Sequence, residues 1–153
     1  MKLEIVNVHI PNTVSVVLGQ FHGKNAVEDI DATLTNDIPN IRFGLACHQT
    51  SGSRFIGTDH SFINLAKTNA ERLGVEELFV LFVENTIPKS VLKALKKVPE
   101  ISEIYCATSK PVEMIITNTN RGKTVMGLAD DYSSSSISNS VKEIQEQNIT
   151  EVE

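Results

Sequence analysis

The sequence lacks the features that several common classes of site or location require. It contains no tryptophan and only 5% aromatic residues, and no apolar stretch approaches the roughly 18 residues needed to cross a membrane. Its 14 Lys and Arg residues are scattered, and the formal charge is -5, which argues against a basic track for long nucleic acids. We therefore expect a cytoplasmic protein whose partners include neither a membrane nor a nucleic acid.

Metal-binding patterns are also missing. The two cysteines, Cys47 and Cys106, lie in apolar runs without a CxxC motif, so we expect them to be small buried side chains. His9, His48 and His60 lack the spacing of metal ligands. The residues therefore predict no metal site.

One short motif resembles part of a P-loop, the phosphate-binding loop of many nucleotide-binding proteins. Gly122, Lys123 and Thr124 match the end of a P-loop, but Thr117 stands where the first glycine of that pattern is required. A strand pattern follows instead of the helix whose N-terminus would hold the phosphates. No GxGxxG sequence is present either, so no cofactor is implied by these motifs.

The hydrophobic pattern predicts a single α+β domain over residues 1–132, built on a mixed β-sheet covered by helices. A Ser-rich linker and a peripheral, mobile helix are predicted for residues 133–153. The run 48–58 contains loop-forming residues and is predicted to be a functional loop. Strands are predicted at 3–10 and 14–18, joined by a short turn, and at 41–47, 78–83, 101–107, 112–117 and 124–128; helices are predicted at 26–38, 59–73 and 88–97.

The most informative residue is His22, which lies in a glycine-flanked turn between an apolar run and a helical pattern. Loops at such junctions often carry ligand-binding and catalytic groups. An imidazole there could be a general base, a nucleophile that accepts a phosphoryl group, or a hydrogen-bond donor to phosphate. It could also simply donate to a backbone carbonyl. Gln20, two residues earlier, could orient the ring, bind an adenine edge, or cap the backbone.

Four further candidates could contact a phosphate. Arg42 opens a predicted central strand and could hold a phosphate or a carboxylate with two hydrogen bonds, or remain a solvated charge. Lys24 follows His22 closely and could neutralise a phosphate. Ser51 and Gly52 belong to a Ser-Gly-Ser-Arg sequence with the composition of an anion-binding nest, although ordinary loops share it.

Three residues could bind ribose. Thr58 and Asp59 precede the second predicted helix, where either could be the N-cap, and Asp59 could also accept hydrogen bonds from ribose hydroxyls. Glu113 begins a strand after Pro111 and could bind ribose, act as a base, or face solvent.

A series of short motifs resembles the archaeal and bacterial family of adenosine-specific kinases. They occur in the family's order over about residues 3–133. The matching motifs are Leu18-Gly19-Gln20 with His22, Val27-Glu28-Asp29, Phe43-Gly44-Leu45-Ala46, Ser51-Gly52, Gly57-Thr58-Asp59, Leu65-Ala66-Lys67, Val98-Pro99-Glu100, Cys106-Ala107-Thr108, Pro111 with Glu113, and Gly127.

The resemblance implies an adenosine- or AMP-binding protein with a mixed sheet, a homotrimeric assembly and a phosphoryl-transfer activity. Adenosine or AMP is the implied ligand. Three positions depart from the family pattern. Lys24 is one residue away from the family's lysine, Gln49 replaces a glutamate, and Lys110 replaces an asparagine before Pro111.

Two functional interpretations and one simpler alternative stay open. In the first, the protein is an adenosine-specific kinase in which His22 relays or accepts a phosphoryl group. In the second, it is a non-catalytic adenosine or AMP sensor, and His22 only contacts phosphate. The simpler alternative is a trimeric scaffold with a vestigial pocket.

Overall fold

The computed structural model describes residues 2–84 and 88–130, and these form two antiparallel sheets with three helices. The α+β class predicted from the sequence is therefore confirmed. The predicted linker and helix at 133–153 lie outside the described residues. The elements are β1 (Leu3–Val8), β2 (Val14–Phe21), α1 (Ala26–Asp37), β3 (Phe43–Cys47), β4 (Arg54–Gly57), α2 (His60–Leu73), β5 (Leu78–Glu84), α3 (Pro88–Leu95), β6 (Ile101–Thr108), β7 (Val112–Thr119) and β8 (Gly122–Asp130).

The larger sheet has the strand order β4-β3-β5-β2-β6, and the smaller has the order β1-β7-β8. Apolar residues alternate along β2 and β5, so each strand contributes side chains to both faces of the larger sheet. On one face they pack against α1 and α3. On the other they pack against α2 and the smaller sheet. The larger sheet is therefore packed on both faces, and these two hydrophobic clusters hold it in place against the three helices.

Helix α2 lies unusually close to the strands beneath it. A Cβ atom at Gly44 would lie 2.1 Å from the carbonyl carbon of Phe62, so only glycine allows this approach. The predicted caps of α2 are confirmed: the Asp59 side chain accepts from the backbone N–H groups of Ser61 and Phe62, and Gly74 adopts the left-handed conformation.

Three details of the predicted fold are wrong. Strands β1 and β2 do not form a hairpin, because β1 pairs with β7 in the smaller sheet. The predicted loop 48–58 contains β4, which pairs with β3. The predicted mixture of strand directions is also absent, since every pairing between the named strands is antiparallel and the one parallel contact described is the isolated bridge between His48 and Glu76.

Candidate functional site

The predicted site residues lie at opposite ends of the larger sheet. We call one the histidine end, where Gln20 at the end of β2 pairs with Leu78, and the other the arginine end, where Val14 pairs with Glu84. Strand β2 separates them by about 20 Å, at roughly 3.3 Å per residue from Val14 to Gln20. The histidine end carries Gln20, His22, Lys24, Ser51 and Gly52; the arginine end carries Arg42, Thr58 and Asp59.

His22 follows β2 directly and precedes α1, as predicted. Its side chain is 71% exposed, and its Nδ1 atom lies 3.8 Å from Oε2 of Glu77. The backbone N–H of His22 donates to the carbonyl of Glu100 at 2.9 Å, and Gly23 follows with a φ of +112°. The backbone of the turn is therefore fixed while the imidazole faces solvent.

Helix α1 begins beside this ring without a side-chain cap. The side chain of Asn25 at the N-cap position makes no capping hydrogen bond. Uncapped helix N-termini present backbone N–H groups and a partial positive charge to an approaching anion. Both acidic residues of the first turn have partners: Glu28 pairs with Arg54, and a hydrogen bond shared with Asp29 raises the pKa of the Glu100 carboxyl.

Arg54 joins the turn to the larger sheet. Its Nη1 atom donates to the backbone carbonyl of Lys24 at 2.8 Å, and its other terminal nitrogen pairs with Glu28. The exposed Lys24 side chain thus belongs to a segment that β4 holds in place. Lys24 therefore lies on the same turn as His22, and the guanidinium of Arg54 reaches this turn from β4.

The loop that contains Ser51 and Gly52 is held by Glu76. Both carboxylate oxygens of Glu76 accept from Thr50, one from its backbone N–H at 3.0 Å and one from its hydroxyl at 2.5 Å. These hydrogen bonds lower the pKa of Glu76. The loop therefore has a fixed base and exposes Ser51 and Gly52.

Gln20 has partners at both ends of its amide. Its Nε2 donates to the carbonyl of Glu76 at 2.8 Å, and its Oε1 accepts from the hydroxyl of Tyr105 at 3.1 Å. These contacts fix the end of β2 against the start of β5. Gln20 supports the base of the His22 turn through the backbone, and no contact between its amide and the imidazole is found among the described residues.

At the arginine end, the polar groups bind one another. The guanidinium of Arg42 donates to Asp59, with the shorter contact at 2.5 Å, and pairs with Glu84. Asp59 also accepts from the hydroxyl of Ser61, which together with Arg42 lowers the pKa of Asp59. The hydroxyl of Thr58 donates to the carbonyl of Ile41 and accepts from the N–H of Phe43.

Glu113 lies apart from His22, in a groove of the smaller sheet. The groove has a volume of about 400 Å³, which falls within the range of ligand-binding pockets. It lies near the arginine end, because the short segments 9–13 and 109–111 connect it to β2 and β6. Its walls are Asn7, Val8, His9, Pro111, Val112, Glu113 and Ala129.

Sequence reasoning missed Glu77 and included Arg54 only as the cation of the Ser-Gly-Ser-Arg sequence. Both act through pairings between distant segments: Glu77 precedes β5, which runs antiparallel to β2, and Arg54 reaches residues 26 and 30 positions earlier. No local pattern marks Glu77, and none indicates the partners of Arg54. The only available signal was the charge of each side chain beside a predicted strand.

The histidine end therefore combines an exposed imidazole, a carboxylate, two cations and an uncapped helix N-terminus. This set can hold an anion and can transfer a proton or a phosphoryl group at the ring. Among the described residues, no group of three or more His, Cys, Asp or Glu side chains could hold a metal ion. The helices within the same ranges are all too short or too polar to cross a membrane.

Comparisons with known proteins agree with this fold. The family model described as "Adenosine specific kinase" matches residues 6–151. The PH1918 protein from Pyrococcus horikoshii OT3, known from a crystal structure, is 27% identical with a TM-score of 0.81, and the match covers 98% of this chain and 94% of that one. A search of curated proteins finds no match.

Proposed function

The chain belongs to the adenosine-specific kinase family, and from this premise we propose that it binds adenosine or AMP and that His22 accepts a phosphoryl group. The observation that carries the proposal is the exposed imidazole of His22 beside the uncapped start of α1. A buried ring could not reach a ligand. An exposed ring at a helix N-terminus can meet a phosphate that the helix also attracts.

The chemistry needs two displacements at phosphorus. The lone pair of an imidazole nitrogen attacks the terminal phosphorus of a nucleoside triphosphate, the P–O bond to the leaving group breaks, and the nucleoside diphosphate leaves with those electrons. The 5′-hydroxyl of adenosine then attacks the phosphorus, the N–P bond breaks, and the imidazole takes the hydroxyl proton. The products are AMP and the free imidazole.

The neighbours of His22 have separate roles in this proposal. Lys24 and the N–H groups of α1 offset phosphate charge, and Ser51 and Gly52 offer hydrogen-bond donors from a loop that Glu76 fixes. Gln20 keeps the turn in place through its bonds to Glu76 and Tyr105. Arg42, Thr58 and Asp59 stay predictions as ligand contacts, and their polar groups already have partners within the fold.

A second candidate function is a sensor that binds adenosine or AMP without transferring phosphate. The groove around Glu113 favours it, because its volume of about 400 Å³ suits a nucleoside and it lies far from His22 in the same chain. In this version Glu113 accepts hydrogen bonds from ribose hydroxyls. This version differs from the sensor expected from the sequence, in which His22 contacts phosphate, because here the His22 ring makes no contact with the bound ligand.

Calorimetric titration with adenosine and AMP distinguishes the two. His22→Asn and Glu113→Gln are compared with the wild-type protein. For the kinase, we expect His22→Asn to weaken AMP binding about tenfold, in line with loss of a hydrogen bond to a charged group, and Glu113→Gln to leave it unchanged. For the sensor, we expect Glu113→Gln to weaken AMP binding and His22→Asn to leave it unchanged. Absence of binding by the wild-type protein would contradict both.

Intact-mass measurement tests the transfer step directly. After incubation with a nucleoside triphosphate, the kinase proposal predicts a mass gain of one phosphoryl group that acid removes, as expected for a phosphorus–nitrogen bond. The gain is absent from His22→Asn. A gain that persists in this variant would place the acceptor elsewhere, and absence of any gain in the wild-type protein would favour the sensor.

We also propose a homotrimer in the cytoplasm. Leu3 and Ile5 support self-association: they are 49% and 61% exposed on β1, an edge strand of the smaller sheet. Copies of this chain would cover these apolar side chains. Light scattering should therefore give a trimer for the wild-type protein and a smaller species for Ile5→Lys, and a wild-type monomer would contradict the assembly.

A further inference from the structure

Glu77 is the acidic side chain that directly faces the ring of His22. Its Oε2 atom lies 3.8 Å from Nδ1, and its side chain is 34% exposed compared with 71% for His22. The other nearby carboxyls have different contacts: Glu76 binds Thr50, and Glu100 binds Asp29. Among these three carboxyl groups, Glu77 is therefore the one that faces Nδ1 of His22.

The backbone of Glu77 is held in an unusual conformation. Its φ is +60°, which is uncommon for a residue with a side chain. Two hydrogen bonds impose it: the N–H of Glu77 donates to the carbonyl of His48, and its carbonyl accepts from the N–H of Phe21, both at 3.1 Å. The second bond comes from the residue next to His22, so the positions of carboxylate and imidazole are coupled.

We propose that Glu77 is a positioning residue that accepts a hydrogen bond from Nδ1–H of His22 and leaves the lone pair of Nε2 facing solvent. A rotation of either exposed side chain would bring the 3.8 Å separation to hydrogen-bond length. A histidine hydrogen-bonded through one nitrogen presents the other as acceptor or nucleophile. The inference about the tautomer stands alone, and it rests on the proposed function only where Nε2 is taken as the atom that accepts the phosphoryl group.

The tautomer of His22 can be measured without any ligand. In protein labelled with ¹⁵N-histidine, long-range ¹H–¹⁵N correlations distinguish protonated Nδ1 from protonated Nε2, and His22→Asn identifies the signals. At pH 8 we expect Nδ1–H to be the major form in the wild-type protein. Nε2–H as the major form would overturn the proposal.

The variants are chosen for the backbone of Glu77. Asparagine tolerates a positive φ but is one methylene shorter, so Glu77→Asn should fold and shift His22 to Nε2–H as the major form. Glu77→Gln keeps an acceptor oxygen at the same reach and should retain Nδ1–H. Glu77→Gly removes both strain and carboxylate and repeats the test if the asparagine variant is unstable. A tautomer unchanged in Glu77→Asn and Glu77→Gly would limit Glu77 to a structural role.

Glu100→Gln is the matched control. Glu100 touches the same turn through its backbone carbonyl, which the substitution preserves, while its carboxyl binds Asp29. We expect the wild-type tautomer in this variant. If the tautomer shifts as proposed but adenosine does not bind, the proposed function fails and Glu77 keeps its role. If adenosine binds and the tautomer does not respond, only the role of Glu77 fails.

Discussion

The two ends of the larger sheet use their charged residues in different ways. At the arginine end, Arg42 pairs with both Asp59 and Glu84, and these ion pairs join the start of β3 to α2 and β5. At the histidine end, polar contacts fix the backbone around His22 but leave its ring 71% exposed. Partnered polar groups hold a fold together, whereas an exposed ring on a fixed backbone remains available to a ligand. The ion pairs of the first end stabilise the fold, and the second end is the one that we propose to contact a ligand.

The largest loss of stability is expected from Gly44→Ala. The new Cβ atom would lie 2.1 to 2.3 Å from backbone atoms of Phe62 and Ile63, which cannot rotate away. We expect the free energy of unfolding to fall by about 3 kcal/mol or more, measured by urea titration. The control is Gly52→Ala at the histidine end, where nothing lies within 4 Å and the φ of +120° should cost about 1 kcal/mol. Equal losses would contradict the close packing of α2.

Although the ring of His22 is exposed, we expect the core beneath the histidine end to stay closed to solvent and to reagents. Cys47 ends β3 near Glu77 and is fully buried, which raises the pKa of its thiol to about 11. Since the thiolate is the reactive form, alkylation by iodoacetamide at pH 8 should be on the order of 10²-fold slower in the folded protein than in urea. Mass spectrometry of the labelled peptide measures this. Rapid labelling of Cys47 in the folded state would show that the core beneath His22 opens.

An acid-sensitive loss of stability is expected at the arginine end. The pKa of Asp59 is lowered in the folded state by Ser61 and Arg42, so its charge adds stability above the ordinary value of 3.8. That contribution is lost as the pH falls through the lower folded value. Asp59→Asn keeps a capping side chain but loses the charge, and should lower Tm at pH 7 by about 4 °C. The difference from the wild-type protein should shrink below pH 3.8.

Asp31→Asn is the control for this charge effect. Burial raises the pKa of Asp31, so its charged form is disfavoured in the folded state and stability falls as the pH rises. Neutralising it should leave Tm at pH 7 unchanged or higher. A Tm at pH 7 that is unchanged in Asp59→Asn, as in Asp31→Asn, would show that the ion pairs of Arg42 do not stabilise the fold.

Local chemistry explains which features could be predicted from the sequence. Asp59 and Gly74 cap α2 as predicted, because caps depend on residues within one helical turn. The turn at His22 between strand and helix was also predicted from its neighbours. The partner of β1 could not be predicted, because its pairing with β7 joins segments more than 100 residues apart in sequence.

The separation of the candidate site residues into two groups could not be predicted either, because it also depends on pairing between distant segments. Thr58 and Asp59 belong to a motif of the same family resemblance as His22, and Arg42 directly precedes another. The antiparallel register of β2 and β5 nevertheless places all three at the other end of the sheet. Glu77 carries no local signal, and its importance comes only from the strand that follows it. Long-range pairing therefore decides which charged residues meet.

The smallest change in stability is expected from His22→Asn. Its ring is 71% exposed, its 3.8 Å contact with Glu77 is an exposed polar contact of little energetic value, and its backbone bond to Glu100 survives substitution. The free energy of unfolding should stay within about 0.5 kcal/mol of the wild-type value in urea titration. The adjacent Phe21 is fully buried, so Phe21→Leu should cost about 1 kcal/mol. If His22→Asn cost as much as Phe21→Leu, the imidazole would be a structural group. Phe21 is buried and His22, the next residue, is exposed. A stable His22→Asn protein that binds AMP about tenfold more weakly would therefore separate function from folding at this turn.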